Sequence, residues 1–60
     1  MTKLYQDALR LSVNENLRNI RTLLNWAQEA TGLEETIRHT EQALALLTEV
    51  AENLRELKRA

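Results

Sequence analysis

One glycine, Gly32, divides a proline-free chain of 60 residues almost at its midpoint, and both sides of it carry helical periodicity. Within Ala30-Thr31-Gly32-Leu33-Glu34, the glycine can end a helix in the left-handed conformation that costs glycine little. Thr31 and Glu34 have the spacing of a capping box, which opens a helix. Both devices stop one helix and start another, so the sequence predicts an antiparallel helical hairpin filling residues 1–60 as one domain. Helix one is expected over about 2–30, the turn at about 31–32 and helix two over about 33–59. Glu34 and Glu35 then stand in the first turn of helix two, and Lys58 and Arg59 in its last, the polarity a helix dipole favours.

Composition fixes the class. Twelve Leu and seven Ala outweigh two Ile, two Val, one Tyr, one Trp and no Phe, which favours helix over strand and makes the chain all-α. The absence of Cys removes disulfides, thiol chemistry and zinc–thiolate sites, and leaves the redox compartment open. A formal net charge of −1 gives no field that would draw nucleic acid or an anionic membrane. No apolar run approaches the roughly 20 residues of a bilayer span, and no basic start leads into an apolar signal core. A cytoplasmic protein without membrane contact is the expectation.

On a helical wheel the first arm gathers Leu9, Val13, Leu17, Ile20, Leu24 and Ala27 into one stripe, edged by Tyr5, Leu23 and Ala30. Leu4, Ala8 and Leu11 share a different face, free to meet a second chain. The phase changes near Ser12, where Ser12-Val13-Asn14-Glu15 again has capping-box spacing. With neither Gly nor Pro to enforce a break there, one helix is the better reading. In the second arm Leu33, Ile37, Thr40, Leu44, Leu47, Ala51 and Leu54 alternate steps of four and three, as the seam of a coiled coil does. Ala43, Val50 and Leu57 widen that stripe, and Leu46 stands beside it as a further contact for a partner. Glu34 with Arg38, Glu52 with Arg55, and Glu56 with Arg59 have the spacing of surface ion pairs, each worth a few tenths of a kcal/mol. A rival alternation, Trp26, Ala30, Leu33, Ile37, Thr40, Leu44 and Leu47, runs straight through the glycine and would make one continuous helix about 90 Å long. It strands Leu17, Ile20 and Leu24 outside the seam and places Gly mid-helix, at about 1 kcal/mol relative to Ala. The hairpin is preferred.

Each arm presents an apolar arc about 140° wide, and two helices packed only on each other leave part of both arcs wet. A chain this short usually needs a metal, a disulfide or a partner to hold its fold, and neither Cys nor a ligand cluster is present. The expectation is a homodimeric four-helix bundle, or the filling of the same groove by another helical protein. The core and interface are expected in Leu9, Val13, Leu17, Ile20, Leu24, Ala27, Leu33, Ile37, Leu44, Leu47, Val50, Ala51 and Leu54. Further partner contacts fall to Leu4, Leu11, Trp26, Leu46 and Leu57. Asn16 and Thr40 lie inside the stripes. Each either penalises wrong registers by demanding a polar partner, or satisfies itself, Asn16 at the edge and Thr40 on the carbonyl one turn back.

Candidates for chemistry are sparse. His39, the one histidine, follows Glu35 by a helical turn, which is half of a metal site with nothing in the chain to complete it. No cofactor is expected. Trp26 is placed either to anchor a partner or to fold over the turn against Leu33 or Ile37. No phosphate-binding glycine loop, no Ser/His/Asp set and no pair of Glu-x-x-His motifs appears, so catalysis is not expected. Lys3, Arg10 and Arg21, with Asn14 and Gln28, line one flank of helix one. In hairpin layout and length the chain resembles the small plasmid-encoded Rop-type regulators, whose paired hairpins present helix-one side chains to RNA. That resemblance implies an RNA contact along this flank, but the row holds no aromatic to stack on bases and the six Glu of helix two dilute its charge, so a solvated face is favoured. The stretch Glu41-Gln42-Ala43-Leu44-Ala45-Leu46-Leu47 resembles the second helix of helical-hairpin co-chaperones of bacterial secretion systems, which implies covering the apolar helix of a client. The reading drawn from the residues themselves is a small non-catalytic module for protein–protein contact.

Overall fold

Thr2 opens the first helix. Its backbone is extended (φ −78°, ψ 155°) and its hydroxyl accepts the Tyr5 N–H at 3.2 Å, while the Gln6 N–H reaches the Thr2 carbonyl at 3.0 Å. The computed structural model describes residues 2–59 as two α-helices, α1 (Lys3–Glu29) and α2 (Leu33–Arg59), of 27 residues each. α1 runs through Ser12 without a break. Ala30 (φ −63°, ψ 139°) then turns the chain out of the helix.

The turn does not use a left-handed glycine. No described residue has a positive φ, Gly32 included, so the helix ends by becoming extended at Ala30. Nor is α2 opened by the Thr31–Glu34 box. The Gly32 carbonyl accepts both the N–H and the hydroxyl of Thr36, each at 3.1 Å, and that hydroxyl also lies 3.5 Å from the Ala27 carbonyl across the turn. Gly32 therefore occupies the cap position of α2 without a side chain to cap with, and a Cβ there would meet nothing within 4 Å. Gly32→Ser is expected to stabilise the fold by about 0.5–1 kcal/mol, from an added acceptor for the first-turn N–H groups and a less flexible unfolded chain. The check is a rise of a few degrees in Tm at fixed protein concentration.

α1 and α2 lie side by side in a body of 45 × 14 × 10 Å. Their seam holds Leu9, Val13, Asn16, Ile20, Leu23 and Ala27 against Thr36, His39, Ala43, Leu46, Val50, Asn53 and Leu57, all buried or half-buried. At its centre Val13, Ile20, Ala43 and Val50 form the buried cluster, with Leu23 and Leu46 packed on it. These positions also step by four and three, so the seam obeys coiled-coil spacing on both helices. It is not the row expected for α2. Leu33, Ile37, Thr40, Leu44, Leu47 and Leu54 are exposed, Ala51 is half-buried, and on α1 Leu17 and Leu24 are exposed as well. Leu46 and Leu57, expected to reach a partner, instead lie in the seam. The physical reason is fit: the small Ala43 and Val50 alternate with Leu46 and Leu57 in the seam, so large and small side chains interdigitate with those of α1.

Threonine hydroxyls along both helices bond back to the carbonyl four residues earlier: Thr22 to Arg18, Thr40 to Thr36 at 2.7 Å, and Thr48 to Leu44. Thr40 thus satisfies itself and needs no polar partner. Among the described residues one of the three expected ion pairs is formed, Glu56 to Arg59 at 3.0 Å. No described helix is long and apolar enough to cross a membrane.

Candidate interaction surface

Either side of the seam runs a flanking row on each helix, and in an antiparallel pair the matching rows of both helices face the same way. On one side they are mostly apolar: Arg10, Leu17 and Leu24 from α1, and Leu33, Thr40, Leu47 and Leu54 from α2. α2 adds an outer row, Ile37, Leu44, Ala51 and Lys58, whereas the corresponding row of α1 is Asp7, Asn14, Arg21 and Gln28. The apolar face is therefore skewed towards α2. Leu44 stands 63% exposed on it and Leu33 76%, far more than a packed helix leaves open. Towards the turn, where Thr36, Thr40 and Ala27 are small, the face sinks into an open groove of about 770 Å³ between Leu17 and Leu24 on one wall and α2 on the other. Arg21, Asn25 and Gln28 form its rim on α1.

The other side is polar: Ser12 and Asn19 of α1 stand over Glu35, Gln42, Glu49 and Glu56 of α2, with Tyr5 and Trp26 towards its ends. Here the Asn53 side-chain N–H donates to the Ser12 hydroxyl at 3.5 Å. Trp26 belongs to this side. It is half-exposed and meets His39 edge-on, with ring centroids 5.6 Å apart and planes at 61°. This geometry neither folds it over Leu33 or Ile37 nor places it on the apolar face.

Among the described residues two side-chain polar atoms lie buried with no hydrogen-bond partner, Asn16 Nδ2 and His39 Nδ1. Asn16 sits in the seam rather than at its edge. His39 is also a seam residue, and no group of three His, Asp or Glu suited to a metal ion occurs among the described residues. The sequence reading weighs His39 only as half of a metal site and does not single out Asn53. The signal was present in the alternating spacing of His39, Ala43, Leu46, Val50, Asn53 and Leu57, where two polar residues mask it. Lys3, Arg10, Asn14, Arg21 and Gln28 are all exposed, Arg10 and Arg21 at the margin of the apolar face. Leu4 and Leu11, 81% and 60% exposed, make a separate small patch on the outer side of α1.

Compared with protein-family models, with curated proteins and with solved structures, the chain matches none. The reading of its function rests on the surface just described. Chemically that surface offers apolar contact, a shallow groove and a charged margin, which suit a helix as ligand.

Proposed function

We propose that this protein is a non-catalytic protein–protein interaction module that self-associates through the apolar face into a dimeric four-helix bundle. The carrying observation is the asymmetry of the hairpin: one side polar, the other lined by Leu17, Leu24, Ile37, Leu44, Leu47 and Leu54, each more than two-fifths exposed. Exposed leucines scattered singly would carry no message; a contiguous row on one side is the mark of an interface. A second copy buries the same row twice, which is the economy of a two-fold interface.

Sedimentation equilibrium across a dilution series tests it. The expected mass is twice the 7.0 kDa of the chain, with loss of helix as dilution dissociates the pair. A cooperative, folded 7.0 kDa species at every concentration overturns the proposal. The open groove supports a second reading, a helix of another protein seated between Leu24 and Thr40. On that reading the isolated chain is loosely folded and gains a cooperative transition only when co-expressed with its partner.

A further inference from the structure

Resting on the reading of the apolar face as a protein contact, and deepening its second occupant, we infer that the foreign helix this face accepts is acidic: an amphipathic helix with glutamates or aspartates flanking one end of its leucine stripe. Charge selects it. The rows that make up the face hold Lys3, Arg10, Arg21 and Lys58 and a single carboxylate, Asp7. All five are exposed, and among the described residues none is held in an ion pair. The opposite side carries Glu15, Glu29, Glu35, Glu49, Glu52 and Glu56 against Arg38 and Arg59. The rows beyond the face add Arg18 and Arg55 against Glu34 and Glu41, which cancel. The formal net charge of −1 therefore hides two sides of opposite sign, and the apolar side is the positive one.

The cations are not spread evenly. Trp26 beside His39 and Ser12 beside Asn53 put Arg10 level with Leu54, and Asp7 level with Lys58. Lys3, Arg10 and Lys58 thus gather at the end away from the turn, while Arg21 stands midway on the α1 margin. A second copy brings to this face one carboxylate and four cations of its own, so self-pairing leaves the margin uncompensated. A helix with carboxylates at one end supplies what is missing: ion pairs over the open end of the hairpin, and complementary potential along the rest.

The apolar part of the face sets the rest of the ligand. Leu17 and Leu24 on α1, and Leu33, Leu47 and Leu54 on α2, recur in steps of seven or twice seven, the spacing on which a third helix packs. The groove that Thr36 and Thr40 leave open against Leu24 takes one bulky side chain. It lies two heptads from Arg10, about 21 Å along a helix, so the ligand carries its largest apolar residue about that far from its carboxylates. An anionic membrane surface fits less well. Interfacial helices anchor through aromatic residues on the apolar face, and here Tyr5 and Trp26 both stand on the other side.

The test uses two dye-labelled synthetic helices as long as α2, with identical leucine heptads, one carrying glutamates beside the leucines of one end and the other lysines at the same places. Each rim pair changes affinity about two-fold, so the anisotropy titration should show the glutamate helix binding at least about tenfold tighter in low salt. At about 1 M salt, where the Debye length is about 3 Å, the difference should shrink to about two-fold or less. Arg10→Glu with Lys58→Glu, both exposed and outside the seam, should keep the helix content and reverse the preference. Equal binding of the two helices, or a preference for lysine, overturns the inference. So does a chain that ignores the glutamate helix and sediments with phosphatidylglycerol vesicles, which would assign the cations to a membrane. A dimer that neither helix displaces overturns the inference and leaves self-association standing. A folded monomer that binds neither overturns both.

Discussion

Leu47→Asp is expected to leave the chain monomeric at concentrations where the parent chain is dimeric. In the hairpin alone Leu47 is 44% exposed and lies outside the seam, so the substitution removes little from the packing of α1 on α2. In the proposed dimer it lies in the shared face and is counted twice. Dimerisation can bury only the part of Leu47 still exposed, worth about 0.7–1.3 kcal/mol per copy, so the pair of substitutions costs about 1.5–2.5 kcal/mol before the desolvation of two carboxylates is added. The lost burial alone weakens Kd by roughly one to two powers of ten. Leu11→Asp is the matched control: the same chemical change at a 60% exposed site on the outer side of α1, expected to keep the parent mass. Sedimentation of both variants against the parent checks the pair. A Leu47→Asp protein that keeps the parent mass would place the interface elsewhere.

Asn16→Leu is expected to act in the opposite sense. Asn16 occupies the seam one step from Val13 and Ile20, two members of the buried cluster, and its Nδ2 is buried with no partner. Such an orphaned donor costs about 1–3 kcal/mol, and leucine removes that cost while adding apolar burial. Tm should rise by about 5–20 °C for a chain of this size, compared at equal protein concentration. A polar residue inside a coiled-coil seam also penalises slipped registers. The variant should therefore show a broader distribution of masses than the parent, which native mass spectrometry reads directly. A fall in stability would mean that the amide is bonded in the assembled protein.

Much of the hairpin was legible in the residues. The lone Gly32, the acids at 34 and 35 and the bases at 58 and 59 located the turn and α2 to within a residue or so of Leu33–Arg59. What periodicity could not decide was which part of the broad apolar arc of α2 faces α1. Leu33, Leu44 and Leu47 draw the eye because they are large and evenly spaced, but close approach of two helices selects Ala43 and Val50. The seam then accepts His39 and Asn53 as neighbours because half-burial at the margin still leaves them partly wet. The mechanism of the turn escaped for a related reason. Glycine is usually read for the left-handed conformation, and here the chain reverses in ordinary extended backbone at Ala30, with Thr36 doing the bonding on the carbonyl of Gly32. The candidate surface was visible as a surplus of apolar positions; its location needed the geometry of the pair.

The single tryptophan stands against the single histidine across the hairpin, on the side away from the leucine rows. Closing the two arms changes the surroundings of the indole, while docking of a second copy on the proposed face would take place out of its sight. Emission from this one chromophore would therefore follow the zipping of one molecule and stay silent on the meeting of two. Folding and assembly could be timed separately in one tube without adding a dye.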